Sequence, residues 1–293
     1  MTAVHPLLGA GGEAPVPRPV LLKWWLGLSA PIATIGIATS LAGILVDRIY
    51  RHETVSWRAE AIGQDVANLV VLSALAVFAV AATRGSVGAF LAWLGTVVYT
   101  AYTFAIYVFA VHFGPLFLLY VAVFALAVWA LVGALTGIDA TRVRDAFVTT
   151  PLGRFVPWLL IGVAAMFALL WLSEDLPAVF SGRPSDSLTA SGLLTNPVHV
   201  LDLSLFLPTA VVAGVLLRRG RPWGHVLVPV VLVAMAAIGS GIVSLTLVSL
   251  ARGLDGSLVL AAVIGAMAAV QAWWAWRFLT GLAPGARLPD VLR

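Results

Sequence analysis

The sequence predicts an all-α, polytopic membrane helix bundle with eight transmembrane helices, and three observations lead to that prediction. The chain of 293 residues is 61% hydrophobic and only 10% charged, which leaves too little polar surface to cover a water-soluble core. Its apolar residues form long continuous runs, whereas a transmembrane β-barrel would show alternating segments of about ten residues. The basic residues fall mainly between alternate runs, as expected for a chain that crosses a membrane repeatedly.

Each apolar run is long enough to cross a hydrocarbon core of about 30 Å as a helix that satisfies its own backbone hydrogen bonds. The first run is too long for the core of a signal peptide, and no small-residue cleavage motif follows it, so we expect it to be retained. The predicted spans cover residues 22–46, 65–83, 86–110, 115–136, 155–173, 197–217, 225–250 and 256–280.

The distribution of basic residues predicts the orientation. Twelve of the 17 basic residues lie on the side that holds both termini and the second, fourth and sixth loops. The positive-inside rule therefore places both termini in the cytoplasm, and we expect a multi-pass protein of a bacterial plasma membrane. Topology accounts for the net charge of +4, so the lipid bilayer is the predicted partner and nucleic acid is not. A homo-oligomer is left open.

The order of loops indicates an internal repeat of four plus four spans, with the halves related by an axis along the membrane normal. Each half has a long outer loop followed by a hairpin with a basic inner turn, at Arg84 and at Arg219. The alternative is that any chain with eight similar spans offers some such correspondence. The predicted organisation is a disordered cytoplasmic N-terminus (1–21), a first four-helix repeat (22–136), a cytoplasmic connecting loop (137–154), a second four-helix repeat (155–280) and a cytoplasmic tail (281–293).

His199 and Asp202 form the first candidate site, as an acid–base or proton-coupling pair. Asn196 and Pro197 are a good N-cap and first helical residue. Asp202 then lies about five residues, or roughly 7 to 8 Å, inside the helix, beyond the reach of simple capping. His199 is three residues earlier and lies on the same face. An acid within a membrane span indicates a functional site; the alternative is a structural bond to an outer loop.

Around the second span, Glu60, Gln64 and Asn68 are spaced by four residues, with Asp65 beside them. If the helix begins near Ser56, these side chains form one polar stripe that should face the bundle or a wet cavity. If the helix begins at Asp65, that carboxylate caps free N–H groups instead. The sequence leaves both alternatives open.

Hydroxyl groups follow the outer halves of the third and seventh spans, and the depth that they share with Asp65, His199 and Asp202 favours an outward-facing polar cavity. Such groups line a polar cavity in some bundles, and in others they bond back to their own helix or to a neighbouring helix. The outer turn adds His112, which could join His199, Asp202 and Glu60 at a metal, although the spacing is not diagnostic. The predicted ligand-binding residues are Glu60, Gln64, Asp65, Asn68, Tyr99, Thr103, Tyr107, His112, Ser240 and Ser244.

No cofactor or metal is predicted, because the chain has no cysteine and no phosphate-binding glycine loop or zinc motif. Three functions stay open. The preferred one is a proton- or ion-coupled transporter of a small solute, which would need a polar path inward past the membrane midplane. The second is an intramembrane enzyme that acts on a lipid or lipid-linked substrate at the outer leaflet. The third is a non-catalytic sensor or accessory subunit. The sequence does not identify the ligand.

Overall fold

The computed structural model describes residues 24–150 and 153–293, and these residues form helices and no β-strand. Eight helices are long and apolar enough to cross a membrane, which is the predicted number, and two short helices lie in loops. The predicted disordered segment 1–21 lies outside the described residues. In chain order the helices are α1 (Trp24–Leu45), α2 (Val55–Thr83), α3 (Val87–Ala110), α4 (Phe117–Gly137), α5 (Ala140–Asp145), α6 (Val156–Ser181), α7 (Asp186–Ser191), α8 (Pro197–Arg218), α9 (Pro222–Ala251) and α10 (Leu258–Leu279).

Helix α2 begins ten residues before the start of the predicted span 65–83. Thr54 caps it, because its hydroxyl oxygen accepts the backbone N–H of Trp57 at 3.3 Å. The first turns of α2 are polar, so the sequence predicted a loop there. A helix that projects beyond the hydrocarbon core can, however, carry polar residues. Asp65 therefore lies in the third turn, too far from the helix start to cap it.

Helix α6 continues past the predicted end at residue 173 and reaches Ser181, with Pro177 inside it. This extension carries Glu174 and Asp175 on the last turns of a helix, where the sequence predicted an outer loop. The longer α2 and α6 both project at the end of the bundle that holds the loops 46–54 and 182–196. We call this end the outer end, after its predicted orientation.

Helices α3 and α9 are the centre of the bundle. Helix α3 packs against α2, α4 and α9, while α9 packs against α2, α3, α8 and α10. Helix α1 packs against α2 and α4, and α6 packs mainly against α8. Helix α9 is therefore the second-half helix that makes extended contact with the first four.

Small residues allow α9 to approach the first half closely. A Cβ atom on Gly63 of α2 would lie 2.3 Å from the Cα of Leu245, and one on Gly95 of α3 would lie 2.6 Å from the Cβ of Val233. The hydroxyl of Ser244 donates to the carbonyl of Gly63 at 2.6 Å. Close backbone approach of this kind stabilises helix pairs in a bilayer, where lipid is as apolar as the side chains.

Two main apolar clusters fill the bundle. The larger lies mainly within the first half, includes Trp93, Phe90 and Leu94, and also takes in Val226 and Val230 of α9. The smaller, which we call the inner cluster, fills the inner ends of α6, α8, α9 and α10. Its buried members are Val156, Leu160, Ala164, Leu207, Ala210, Ala213, Leu217, Val228, Val231, Leu232, Met235, Ala275 and Phe278.

The segment 281–293 lies across the inner ends of the first-half helices. The backbone N–H of Leu288 donates to the carbonyl of Gly85 at 2.8 Å, and the N–H of Asp139 donates to the carbonyl of Val291 at 2.9 Å. The side chains of Leu288 and Val291 are buried. This segment therefore ties the turn between α2 and α3 to the connection between α4 and α5.

We expect Gly63→Ala to destabilise the protein by about 1 to 3 kcal/mol, because the new methyl group meets the backbone of α9, which cannot move aside alone. Gly162→Ala in α6 is the matched control, since a Cβ there has nothing within 4 Å; we expect it to be neutral or slightly stabilising. Thermal unfolding of the purified protein in detergent measures both. Equal stability of the two variants would contradict the proposed contact.

Candidate functional site

A cavity of about 330 Å³ lies between the two halves of the bundle, in its outer half. Helices α2 and α3 form one wall, and α6, α8, α9 and α10 form the other. From the outer end, where Trp57 and Asn196 line it, the cavity extends to the level of Met235, near the middle of α9, and to Gln271 of α10. The inner cluster fills the bundle below this level. The cavity is therefore open toward one end of the bundle.

The polar side chains of the cavity are concentrated toward its outer end, and its deeper walls are apolar. In the outer part the polar side chains are Glu60, Gln64, Tyr102, Thr103, Glu174, Ser187, Ser191, Asn196, His199 and Asp202, and Ile106, Leu193, Val198 and Leu245 add apolar surface among them. The deeper apolar walls come from Val163, Phe167, Phe206, Leu207, Met235, Ile238, Ile242, Ile264 and Met267. Gln271 is the polar exception at the deep end, where its amide lies 3.8 Å from the sulfur of Met235. The cavity is amphipathic along its length.

The cavity wall between α6 and α10 is not closed by packing of one helix against the other. The rings of Phe155 and Trp274 stack at the inner end with centroids 5.1 Å apart, but in the described part of the chain the two helices make no extended contact. Phe167 of α6 and Met267 of α10 both line the cavity farther out. The helices thus meet at the inner end and separate toward the outer end.

Asp202 lies at the cavity surface and accepts two hydrogen bonds. The hydroxyl of Tyr102 donates to Oδ1 at 3.0 Å, and the indole N–H of Trp171 donates to Oδ2 at 2.8 Å. Asp202 also begins a π-helical turn, Asp202–Phe206, in which the N–H of Leu207 bonds to the Asp202 carbonyl. Such turns occur frequently at functional sites. Pro208 follows directly and has no N–H to restore the α-helical pattern.

His199 is held on two sides. Asn196 caps α8 as predicted, with its side-chain oxygen accepting from the N–H groups of Val198 and His199. The Nδ1 atom of His199 lies 2.9 Å from the Oδ1 of Asp175, and its ring stacks on Trp171 with centroids 4.3 Å apart. Since Nδ1 bonds the carboxylate, the neutral ring carries its proton there and leaves Nε2 as an acceptor.

The predicted pair His199 and Asp202 lies in one cavity but is not directly bonded. Trp171 lies between them, stacked on the imidazole and bonded to the carboxylate. The sequence did not indicate Trp171, Tyr102 or Asp175 as site residues. Their spacing carries no signal, because the three residues come from α3 and α6 and meet α8 only in the folded bundle.

Four predicted residues of the first half line the same cavity: Glu60, Gln64, Tyr99 and Thr103. The Nε2 of Gln64 donates to the hydroxyl of Tyr99 at 2.6 Å. The side chain of Glu60 makes no hydrogen bond or ion pair with any residue that the structure describes. Its carboxylate also borders a second, smaller cavity of about 80 Å³, which Tyr107 lines as well.

Asp65 lies behind this wall, in a buried network that does not line the main cavity. Its carboxylate accepts from the hydroxyl of Tyr50 at 2.7 Å and from that of Tyr107 at 2.9 Å. Burial, with Tyr107 and Asp65 nearby, raises the pKa of the Tyr50 hydroxyl well above its usual value, so Tyr50 stays protonated as a donor. Asn68 accepts from Tyr99 at 2.8 Å and joins this network to the cavity wall.

The other predicted residues lie away from the cavity. The Nδ1 of His112 lies 2.9 Å from Oε2 of Glu53 at the outer surface. Ser240 bonds the carbonyl of Ala237 in its own helix, and Ser244 bonds α2. In the described part of the chain, no three or more His, Asp or Glu side chains converge as metal ligands. A binding role for these residues stays a prediction.

The fold defines a polytopic helical membrane bundle with one amphipathic cavity between its halves. No family model, curated protein or solved structure matches the chain. Function is therefore inferred from the chemistry of the cavity and of its neighbouring networks.

We expect Tyr107→Phe to destabilise the protein by about 1 to 3 kcal/mol, because the buried Asp65 carboxylate loses one of its donors. Tyr120→Phe is the matched control. The Tyr120 ring lies 5.0 Å from that of Tyr107, but its buried hydroxyl has no hydrogen-bond partner among the described residues. Its loss should change stability by no more than about 0.5 kcal/mol. Detergent-solubilised thermal unfolding measures the difference, and a larger loss in the control would refute this network.

Proposed function

We propose that the protein binds a lipid or lipid-linked molecule from the outer leaflet and acts on its polar group by acid–base catalysis at His199. The observation that supports this most is the amphipathic cavity, polar at its outer end, apolar farther in and closed at the inner end. A lipid has the same order of groups along its length. A path for a small polar solute would need polar groups continuing inward, and the inner cluster supplies apolar side chains there.

His199 is the proposed proton acceptor. Its side chain lines the cavity, and its Nε2 is the ring atom left free by the bond to Asp175. A carboxylate bonded to the second ring nitrogen fixes the tautomer and stabilises the imidazolium that forms when the ring takes a proton. Asp175 is therefore a positioning residue. Asp202 lies across Trp171 and would stabilise positive charge on the bound polar group or receive the proton in turn.

The orientation and the repeat belong to the same proposal. We infer that both termini are cytoplasmic, in a bacterial plasma membrane, because the basic residues are concentrated on that side. The two halves, 22–136 and 155–280, would be parallel repeats with the cavity between them. The outer end of the cavity would then meet the headgroups of the outer leaflet.

Proton-coupled transport of a small solute is a second candidate, and the position of the cavity favours it. The cavity lies between the two halves and ends near the middle of the spans, as an outward-open transporter would require. Under this function Asp202 would couple proton movement to transport, and the inner cluster would be a gate that separates in another state.

We expect wild-type proteoliposomes made with native membrane lipid to hydrolyse one lipid species: water adds as a bond of the polar group breaks, His199 takes the proton of the water and returns it to the leaving group, and a product of lower mass accumulates over time. His199→Gln should slow this conversion by about 10²- to 10⁴-fold, because general base catalysis is lost, and Asp175→Asn by about 10- to 100-fold. Lipid mass spectrometry measures the conversion.

His112→Gln is the control, since that imidazole bonds Glu53 and does not line the cavity; the rate should be unchanged. If a lipid copurifies with the wild-type protein but none changes mass, the cavity binds without catalysis and the proposed chemistry is wrong.

Because the chain contains no cysteine, single introduced cysteines can separate the two candidate functions. Arg183→Cys should react with a membrane-impermeant maleimide in intact cells, and Arg219→Cys should react only when the cytoplasmic side is accessible. Leu232→Cys, within the inner cluster, should stay unlabelled from both sides under the enzymatic function. Labelling of Leu232→Cys from the cytoplasmic side would favour transport, because the inner cluster must then open.

A further inference from the structure

Acidic residues outnumber arginine and lysine residues around the cavity. Glu60, Glu174 and Asp202 line it, and Asp175 lies directly behind His199. No arginine or lysine lines the cavity in the described part of the chain. Arg58, in the first turn of α2, is paired with Asp47 at 2.9 Å on the outer surface. A ligand that enters this cavity therefore meets several carboxyl groups without a neighbouring arginine or lysine among the described residues.

The partners of Asp202 are both neutral. Each carboxylate oxygen accepts from one donor, Tyr102 or Trp171, which is a hydrogen-bonding pattern suited to an ionised carboxylate. Asp202 is only 7% exposed, and a buried charge is costly unless an opposite charge approaches it. A carboxylate of this kind within a membrane span is suited to act as the counter-ion of a ligand.

Two further groups point into the same space. His199 is 5% exposed, and its Nε2 has no hydrogen-bond partner among the described residues. Trp57 lines the cavity with its indole fixed, because the ring N–H donates to the carbonyl of Ala110 at 3.0 Å. Indole faces beside carboxylates are the surroundings that alkylammonium groups prefer, through cation–π attraction.

We propose that the ligand is a cationic amphiphile, with an amine or quaternary ammonium headgroup beside Asp202 and Glu60 and a hydrocarbon chain between α6 and α10. This inference rests on the proposed function for the amphipathic cavity and adds the charge of its substrate. An anionic phosphate headgroup would face several carboxylates in this cavity. Among the residues that the structure describes, it would also find none of the arginine or lysine partners that phosphate sites use.

Native mass spectrometry of the purified protein in maltoside micelles can test directly which headgroup charge the cavity prefers. The probes are dodecyltrimethylammonium, dodecyl phosphate and dodecanol, which share one chain length and differ in headgroup charge. We expect one dodecyltrimethylammonium to bind per protein, about tenfold or more tightly than dodecyl phosphate. Asp202→Asn and Glu60→Gln should each weaken cation binding by about five- to tenfold while dodecanol binding stays unchanged.

Glu60→Gln keeps the test valid if Asp202→Asn folds poorly, because the Glu60 side chain has no hydrogen-bond or ion-pair partner among the described residues that the substitution would remove. Asp47→Asn is the matched control, since this acid is paired with Arg58 outside the cavity and its loss should not change binding. Equal or tighter binding of dodecyl phosphate would overturn the cationic headgroup while leaving an amphiphile site intact. If none of the three probes binds, both this inference and the amphiphile-binding function are wrong.

Discussion

The packing of α9 against α2 and α3 is the contact on which the cavity depends. Gly63 and Gly95 let α9 approach the first half so closely that side chains are excluded between the backbones. This contact joins the two halves along one line, and beside it α2, α3, α6, α8, α9 and α10 surround the cavity. In the described part of the chain α6 and α10 make no extended contact, so the cavity wall is open between their outer parts.

The two buried aspartates, Asp65 and Asp202, have different surroundings in the same bundle. Asp65 receives hydroxyl donors from Tyr50 and Tyr107 and lies behind the cavity wall, where it connects α2 to α3 and to the 46–54 loop. Asp202 receives two donors as well, but one of its sides faces the cavity. In a medium with no water to satisfy polar groups, the first arrangement is complete, and under the proposed function a ligand would complete the second.

Much of the architecture follows from the sequence because bilayer thickness fixes helix length. The eight spans, the N-cap at Asn196 and the depth of Asp202 could all be predicted from residue spacing. The starts and ends of α2 and α6 could not, since their polar outer turns resemble loops until Thr54 or a neighbouring helix is seen to support them. The grouping of Glu60, Gln64, Tyr99, Thr103, His199 and Asp202 around one cavity was expected in outline, from a shared depth.

The partners of those residues were inaccessible to sequence reasoning for a physical reason. Trp171 and Tyr102 act on Asp202, and Asp175 acts on His199, through contacts between helices whose relative rotation no single helical pattern specifies. Ser240 and Ser244 illustrate the converse. Their hydroxyls lie at the predicted depth, yet one bonds its own helix and the other secures the α9 contact, because depth alone does not determine which way a helix face turns.

If the cavity binds an amphiphile as proposed, its amphipathic lining also determines which part of it would distinguish between ligands. A hydrocarbon chain that moves from the bilayer into the apolar walls gains little, because lipid tails are as apolar as Phe167 or Met267. Under the proposed function, differences in affinity between one amphiphile and another would then come from the outer part of the cavity, where His199, Asp202 and Glu60 would meet the headgroup. The residues proposed to carry out chemistry and the residues that would select the ligand are therefore the same small group.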